Sequence, residues 1–347
     1  MRKQFKQIML LMCSVLALCG CSPGRSGEQY QQNTLRIGVS VYDGYDTLLS
    51  DITDAMNEWA REKERQSGCA VLLDVVSAGQ SQIAQNDQVA AFIDKGYDVV
   101  CVNLVDRTDP GVIIDKAKNA DVPVVFFNRE PVAEDLARWD KLCYVGADAE
   151  QSGSLQAQLV TAALEDKDRF KRIDRSEDRV IQYVILEGEI GHQDALIRTQ
   201  VSIEEIQKAG FSVEKIGDEI ANWNRNQAES KMKQLLDQYP NQIEMVIAND
   251  DDMALGALDA VNHRDAQLPL IVGVNGTDEA LEMVKQKKLE GTVYSNPKKQ
   301  AEKIMEQAFL LSGRQTDEQK SSADRTFYVD YQLVNYDNVQ DFIRRKE

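Results

Sequence analysis

Short apolar runs rich in β-branched residues alternate with longer, partly polar segments along the chain from Leu35 onwards. A short apolar run predicts a buried strand, and apolar positions that recur with a period of about 3.6 residues predict an amphipathic helix. In the first half of the chain, strands are predicted at 35–41, 71–76, 99–103 and 122–128, and helices at 47–64, 82–95 and 111–119.

The same alternation resumes after Tyr144. Repeated strand–helix–strand order predicts right-handed crossovers and a parallel sheet with helices on both faces. The fold class is therefore α/β, with two doubly wound parallel-sheet lobes joined by a three-strand hinge near 145–147, 295–297 and 327–331. In the second half of the chain, the helices are predicted at 151–164, 195–209, 226–238, 253–262 and 279–286, and the strands at 180–186, 211–216, 245–248, 270–274 and 291–294. The predicted N-terminal lobe comprises 35–145 plus 296–327, and the predicted C-terminal lobe comprises 146–295 plus 328–347.

Polar residues follow most of the predicted strands. In open parallel sheets ligands bind beyond the carboxyl ends of the strands, so these positions are candidates for a binding site. The alternative is that they are helix caps and turn residues, which Asn, Asp and Ser favour for local reasons. Their recurrence at the same strand end in both halves favours a shared cleft. They fall at 43–46, 103–106, 128–129, 187–198, 249–252, 275 and 295–296.

The segment 188–199 carries the densest set of such groups, with His192, Asp194 and Arg198 directly after an apolar run at 183–186. Together these side chains offer hydrogen-bond donors and acceptors in fixed directions, and the planar fork of arginine can bind two neighbouring hydroxyls. This set suits a polyol ligand. The alternative interpretation is an exposed turn whose charges are solvated or paired with one another.

Residues 1–20 have the pattern of an export signal. Basic residues precede an apolar stretch at 8–18, which is shorter than the roughly 20 residues that span a bilayer. The Leu-Cys-Gly-Cys sequence ending at Cys21 resembles a bacterial lipobox. A lipidated Cys21 would anchor the protein to the extracytoplasmic face of the cell membrane through a polar tether at 21–34. The alternative is secretion with cleavage nearby and no lipid.

Composition excludes several classes of partner. Without residues 1–20 the chain has 37 basic and 57 acidic residues, a net charge of −20 with histidine neutral. Nucleic acid and anionic membrane surfaces are therefore disfavoured. Beyond Cys21 the remaining cysteines are Cys69, Cys101 and Cys143, an odd set with no paired spacing, so neither a disulfide framework nor a zinc site is predicted.

Several segments together resemble the periplasmic galactose/glucose-binding proteins, the type I periplasmic sugar-binding proteins of ABC importers. They include Arg-Ile-Gly-Val-Ser-Val-Tyr at 36–42, Val-Pro-Val-Val-Phe-Phe-Asn-Arg-Glu-Pro at 122–131, Gly-Glu-Ile-Gly-His-Gln-Asp at 188–194 and Ile-Ala-Asn-Asp-Asp at 247–251. The resemblance covers nearly the whole chain after residue 36. It implies a monomeric two-lobed receptor, not an enzyme, that closes on one sugar and delivers it to an ABC permease.

The resemblance also implies the sugar-binding residues. The positions that match the family in kind are Asp46, Asn128, His192, Asp194, Arg198 and the stacking ring Trp223, whereas Leu48, Asp250, Asn275 and Ser295 depart from it. Asp250 stands where the family has Asn, and Asn275 stands where the family has Asp. The number of carboxylates in the site is therefore the same, but their positions differ. An amide donates and accepts hydrogen bonds, whereas a carboxylate only accepts them. The site should therefore favour a different arrangement of sugar hydroxyl groups from the one that the family binds. We expect a neutral monosaccharide, with galactose or glucose first and a pentose or another hexose next.

A structural calcium site is a second feature that the resemblance implies. The loop 174–182 places oxygen groups at the EF-hand positions 1, 3, 5, 7 and 9, and Glu244 stands where a distant bidentate ligand is expected. Position 6, normally glycine, is Arg179, which weakens the match. The alternative is a charged surface loop. The implied ligands are Asp174, Ser176, Asp178, Val180 (through its carbonyl), Gln182 and Glu244.

Three rival functions follow from the same features. His192 with Asp194 resembles an acid–base pair, but no nucleophile motif, phosphate loop or metal cluster accompanies it, which argues against an enzyme. The export signal argues against a cytoplasmic repressor. A sugar sensor that signals to a membrane histidine kinase or chemoreceptor would use the same cleft, so the sequence leaves importer and sensor both open.

Overall fold

The computed structural model describes residues 34–264, 266–313 and 324–346. The predicted signal peptide, Cys21 and nearly all of the predicted tether lie outside these residues. Within the described part, the chain forms two six-stranded sheets, each the centre of one lobe. This confirms the predicted α/β class with two parallel-sheet lobes.

The first sheet is parallel throughout and has the order β11-β5-β4-β3-β1-β2. Its central strands β3 and β4 are buried at every position, which explains why they read as continuous apolar runs. The strands are β1 (Thr34–Val41), β2 (Ala70–Ser77), β3 (Val99–Val102), β4 (Val124–Phe127), β5 (Leu142–Gly146) and β11 (Thr326–Tyr328).

The second sheet has the order β12-β10-β9-β8-β6-β7, and only the edge strand β12 runs antiparallel to its neighbour. A register shift between Tyr183 and Val184 marks an irregularity where β6 pairs with β7. The strands are β6 (Val180–Glu187), β7 (Ser212–Ile220), β8 (Met245–Ala248), β9 (Leu270–Asn275), β10 (Gly291–Tyr294) and β12 (Gln332–Asn335).

Helices cover both faces of each sheet and bury a separate apolar core on each face. In the first lobe they are α1 (Thr47–Ser67), α2 (Gln82–Asp94), α3 (Gly111–Asn119), α4 (Ala133–Leu136) and α11 (Pro297–Leu311). In the second lobe they are α5 (Ala149–Glu165), α6 (Lys167–Ile173), α7 (Gln193–Lys208), α8 (Arg225–Gln238), α9 (Asp251–His263), α10 (Asp278–Lys285) and α12 (Val339–Lys346).

The chain passes between the lobes at three places: after β5, after β10 and between β11 and β12. Hydrogen bonds tie these crossings together. The Val329 N–H donates to the Gly146 carbonyl (2.8 Å) and the Tyr331 N–H donates to the Gln151 side chain (2.7 Å), which joins the first and third crossings, and the Ser295 and Tyr331 hydroxyls bond to join the second and third. The two lobes are therefore joined by three short segments that lie side by side, which is the geometry of a hinge.

The helix α11 was missing from the sequence predictions, although its start carries a recognisable signal. Asn296 caps it, with Oδ1 accepting from the Lys299 N–H (3.0 Å), and Pro297 occupies the first turn. Proline is favoured there because its missing N–H needs no partner. The Asn-Pro pair was interpreted as a hinge restraint, whereas it begins the helix that returns to the first lobe.

Candidate functional site

One cavity between the lobes gathers side chains from the carboxyl ends of strands in both sheets. The space between its walls, including the part open to solvent, is about 450 Å³. Nine of the ten predicted sugar-binding residues line it. The full lining is Tyr42, Asp46, Leu48, Asn128, Arg129, His192, Asp194, Arg198, Trp223, Asp250, Asn275 and Tyr331.

Ser295 is the predicted residue that does not line the cavity. It is 1% exposed, and its hydroxyl accepts from Gln300 Nε2 (2.7 Å) and bonds to Tyr331. Tyr331 takes the place next to the cavity instead. Ser295 therefore does not line the cavity in this structure, and its link to the cleft is the hydrogen bond with the Tyr331 hydroxyl, while its direct role stays a prediction.

Asp46 and Asp250 face the cavity from opposite lobes, and each also caps a helix. Asp46 Oδ1 accepts from the Leu49 N–H (2.9 Å) at the start of α1, and Asp250 Oδ1 accepts from the Met253 N–H (2.8 Å) at the start of α9. Burial raises the pKa of both carboxyls, and nearby Asp252 raises that of Asp250 further. The cap interpretation is thus correct for both residues. The second oxygen of Asp46 accepts from the Tyr42 hydroxyl (3.2 Å), while that of Asp250 is left for a ligand.

Asn128 is held in a left-handed backbone conformation, with φ 61°, directly after β4. The Tyr144 hydroxyl donates to its carbonyl (2.9 Å), and Asn103 Nδ2 donates to its side-chain oxygen (3.0 Å). Because the side-chain oxygen is already used as an acceptor, the amide nitrogen is the group that Asn128 offers to a ligand.

Arg198 is fixed by three hydrogen bonds and is only 5% exposed. Its Nε donates to Ser152 Oγ (2.7 Å), one terminal nitrogen donates to the Asn249 carbonyl (2.6 Å), and the other donates to the Tyr331 hydroxyl (3.3 Å). Of its five N–H donors, two remain for other acceptors. The guanidinium is therefore positioned before any ligand arrives, which lowers the entropy cost of binding.

Trp223 and His192 meet edge to face, with ring centroids 4.9 Å apart. Trp223 has a left-handed backbone (φ 58°), and a Cβ atom at Gly188 would lie 2.0 Å from the indole, so only glycine allows this ring position. Burial, with the neighbouring Arg129 and Arg198, lowers the pKa of His192 well below its ordinary value, so the imidazole is neutral near pH 7. Its Nδ1 is buried without a hydrogen-bond partner among the described residues.

Asp194 and Asn275 complete the second-lobe wall. Burial raises the pKa of Asp194 to about 6, although Arg198 opposes the shift. Asn275 ends β9 with φ 114°, an unusual conformation for a residue other than glycine. A carboxyl that titrates near neutral pH and a strained backbone next to it are both features that cluster at functional sites.

Three lining residues were not predicted as ligands: Tyr42, Arg129 and Tyr331. Arg129 lies over the Tyr42 ring (3.6 Å from guanidinium carbon to centroid) and donates to Glu189 across the cleft (2.6 Å). The sequence places Arg129 at a strand end beside Asn128, which is a usable signal. Tyr331 reaches the cavity only because the β11–β12 crossing returns to it, which no local pattern reveals.

The 174–182 loop, predicted to hold calcium, is closed by its own hydrogen bonds. Both carboxylate oxygens of Glu244 accept backbone N–H groups, from Arg175 (2.6 Å), Ser176 (3.1 Å) and Gln182 (3.0 Å). Arg179 has φ 66°, the conformation that EF-hand loops reserve for glycine.

Two further observations test how well this loop fits a calcium ion. No group of three or more His, Cys, Asp or Glu is arranged to hold a metal within 34–264, 266–313 and 324–346. The Arg175 guanidinium, bonded to the Ile243 and Leu268 carbonyls (both 3.0 Å), also places a positive charge near Glu244. Calcium binding stays a prediction from the resemblance, and the contacts favour a loop that keeps its shape without the metal.

No helix in the part of the chain that the structure describes is long and apolar enough to span a bilayer.

Comparison with known proteins places this architecture among sugar receptors. The periplasmic binding protein domain model matches residues 37–315. The chain is similar to the D-galactose/methyl-galactoside binding periplasmic protein MglB of Haemophilus influenzae, with 33% identity over 313 residues that cover 89% of this chain and 92% of that protein.

Two solved structures have the same fold. An ABC transporter solute binding protein from Bacillus halodurans with bound myo-inositol has a TM-score of 0.74 and 25% identity, covering 90% of this chain and 98% of that one. The fructose binding periplasmic domain of a hybrid two component system has a TM-score of 0.72 and 22% identity, covering 90% and 94% of the two chains.

Proposed function

Because the chain belongs to the periplasmic binding protein family, we propose that it binds a neutral monosaccharide between its lobes and delivers it to an ABC importer. The family consists of solute-binding proteins that work outside the cytoplasm, not of enzymes. Galactose and glucose are the leading ligands. The observation that supports the proposal most directly is the cavity that polar side chains from both lobes line together with the indole of Trp223.

The lining offers a complementary group for each feature of a sugar. Asp46, Asp194 and Asp250 accept hydrogen bonds from hydroxyl groups, and Arg198 donates them from a fixed position. Trp223 supplies an apolar face for the C–H side of the ring. Arg129 is paired with Glu189, so three carboxyl groups of the lining face one remaining cation, Arg198. This arrangement disfavours an anionic ligand, and a ligand with no charge of its own fits it.

Galactose is the first candidate ligand because of the sugars for which similar proteins are named. The relative with 33% identity is named for D-galactose and methyl-galactoside, and others are named for ribose and xylitol. The departures at Leu48, Asp250 and Asn275 change one apolar contact and two hydrogen-bonding groups, so a pentose or another hexose is the next candidate.

Binding closes the hinge. The first lobe contributes Asp46 and Asn128, while the second contributes His192, Asp194 and Arg198, so neither lobe alone can satisfy all the hydroxyls of a sugar. A ligand that contacts both lobes has a higher affinity for the closed form and shifts the population toward it. The closed form would then be the state that the membrane partner recognises.

Delivery requires the protein to stay near the membrane. We infer that a lipid on Cys21 holds it there as a monomer, with residues 21–34 as the tether. This part of the proposal is supported by the sequence of the export signal alone. Labelling with a palmitate analogue should mark the wild-type protein and should fail to mark the Cys21→Ala variant.

Sensing is the second candidate function. The same fold is found in the fructose binding periplasmic domain of a hybrid two component system, and a closed receptor could contact a kinase or chemoreceptor instead of a permease. Growth on the bound sugar separates the two functions. Loss of uptake when this chain is deleted supports import, whereas normal uptake with loss of sugar-induced transcription supports sensing.

Calorimetric titration of a panel of aldoses, with Trp223 fluorescence followed in parallel, tests the binding proposal. We expect one hexose or pentose to bind with a stoichiometry of about one, since one ring fills the cleft that Trp223 lines. Absence of heat and of a fluorescence change with every aldose would refute the proposal.

A further inference from the structure

A second and larger cavity, which we call the vestibule, adjoins the sugar cleft. Its empty volume is about 1040 Å³, compared with about 450 Å³ for the cleft. Both lobes form it, because Arg107 and Glu130 come from the first lobe and Ile190 and Gln193 from the second. The two cavities share three lining side chains, Arg129, His192 and Asp194.

The shared wall carries two polar atoms that lack partners. Arg129 is 8% exposed, and its Nε has no hydrogen-bond partner within the described ranges, as is also true of His192 Nδ1. Buried polar atoms in folded proteins almost always have a partner, so an orphan of this kind points to a missing ligand or water. Both residues line the two cavities.

The walls of the vestibule have the mixed character of a carbohydrate subsite. Arg107 is anchored through Nε to the Glu130 carbonyl (2.7 Å), and Glu130 Oε1 accepts from the Tyr328 hydroxyl (2.9 Å). Ile190 presents an apolar side chain that is 83% exposed. Fixed polar groups beside an apolar face match the hydroxyl edge and the C–H face of a sugar ring, respectively.

We propose that the vestibule is a second subsite and that the protein binds glycosides, with one sugar ring in the cleft and a second ring or a comparable aglycone in the vestibule. The inference rests on the proposed function, since the first ring must occupy the cleft. The link between the rings passes Arg129, His192 and Asp194. The Arg129 and His192 nitrogens then hydrogen-bond to oxygens at or near the glycosidic bond, Arg129 as donor and neutral His192 as donor or acceptor.

Competition calorimetry with matched ligands tests this subsite. The probes are galactose, the two methyl galactosides, and the disaccharides lactose and melibiose, which carry a β- or α-linked galactose at the non-reducing end; the panel is repeated with glucose and its glycosides. We expect at least one disaccharide to bind within about tenfold of its parent monosaccharide, or more tightly, because the vestibule already has room for the second ring.

Variants of the vestibule identify where the second ring lies. Ile190→Ala and Gln193→Ala should weaken the disaccharide by about three- to tenfold through lost contact, and should change the monosaccharide by less than about twofold. Ile83→Ala is the matched control, since Ile83 is 76% exposed on the same lobe as Arg107 but lines neither cavity. It should leave both affinities unchanged.

The outcomes distinguish this inference from the proposed function. If a monosaccharide binds and every disaccharide fails to displace it, the second subsite does not exist while the proposed function stands. Equal loss of monosaccharide and disaccharide affinity in Ile190→Ala and Gln193→Ala would also overturn the subsite. If no sugar of either class binds, the proposed function is wrong and the subsite falls with it.

Discussion

The interlobe cleft and the 174–182 loop are both rich in side-chain oxygens, but they use them differently. In the loop, Glu244 already accepts three backbone N–H groups. In the cleft, Asp46 accepts two hydrogen bonds and Asp250 accepts one from the protein, and burial raises the pKa of both and of Asp194. A list of matching residue types is therefore weaker evidence for a ligand than unmet hydrogen-bonding capacity.

Replacing arginine by lysine in each region gives the largest contrast. In the cleft, Arg198→Lys keeps the charge but loses the planar fork that contacts Ser152, Asn249 and Tyr331. We expect sugar affinity to fall by about a hundredfold, the cost of lost charged hydrogen bonds in a buried site. Calorimetry with the best sugar of the panel measures the change.

Arg175→Lys is the matched control for that substitution. Arg175 donates to the Ile243 and Leu268 carbonyls next to the loop, far from the cavity lining. The variant should lower the melting temperature and change sugar affinity by less than about twofold. Equal loss of affinity in the two variants would mean that the two regions are coupled and that the contrast between them is wrong.

The stacking ring of the cleft gives the next effect. Trp223→Ala removes the aromatic face and should weaken binding at least about tenfold, by analogy with the 1–3 kcal/mol of base–aromatic stacking. Trp139→Ala serves as the control, because Trp139 packs at the edge of a first-lobe core away from the cavity. It should reduce stability and leave affinity intact. An unchanged affinity in Trp223→Ala would show that the sugar does not lie against the indole.

The pH dependence of sugar affinity is expected to be a smaller effect, and it also distinguishes the cleft from the loop. The pKa of Asp194 is about 6, raised by burial, and the carboxylate must be ionised to accept a sugar hydroxyl. Protonation therefore competes with the ligand, and affinity should be constant above pH 7 and fall by about tenfold at pH 5. Burial lowers the pKa of His192 well below its ordinary value, so its imidazole is already neutral at pH 7.

Asp194→Asn provides the check on this assignment. The amide cannot ionise, so binding should be weaker than in the wild type at pH 7 but should lose most of its dependence on pH. Asp178→Asn in the loop should keep the wild-type pH profile. A wild-type affinity that rises on acidification would contradict the assignment.

The core strands and many of the side chains that line the cleft could be predicted from the sequence. The contacts that join distant segments around the cleft could not. The runs that form β3 and β4 are buried along their whole length, so their apolar character alone identifies them. Asp46, Asn128 and Trp223 were found because they follow strands or match a family motif. Each of these signals is local in the chain.

The missed features depend on contacts between distant segments. Tyr331 bonds to Arg198 across 133 residues, and Arg129 bonds to Glu189 across 60. Ser295 was expected in the cavity from its position after β10, but the Tyr331 hydroxyl stands in front of it. The state of the 174–182 loop depends in the same way on Glu244, which directly precedes β8 and is distant from the loop in sequence.

The smallest expected effect is that of calcium, and it tests the loop directly. A structural ion at a hundred times its dissociation constant would stabilise the fold by about 2.7 kcal/mol, which raises the melting temperature of a domain of this size by roughly 5–10 °C. The bonds from three N–H groups to Glu244 and the charge of Arg175 leave little to gain from the ion, so we expect melting temperatures in millimolar calcium and in chelator to agree within about 2 °C. Arg179→Gly, which relieves the left-handed strain at φ 66°, should raise the melting temperature in both buffers alike. If the melting temperature of either protein rose in calcium but not in chelator, the loop would be established as a metal site and the contrast with the cleft would be removed.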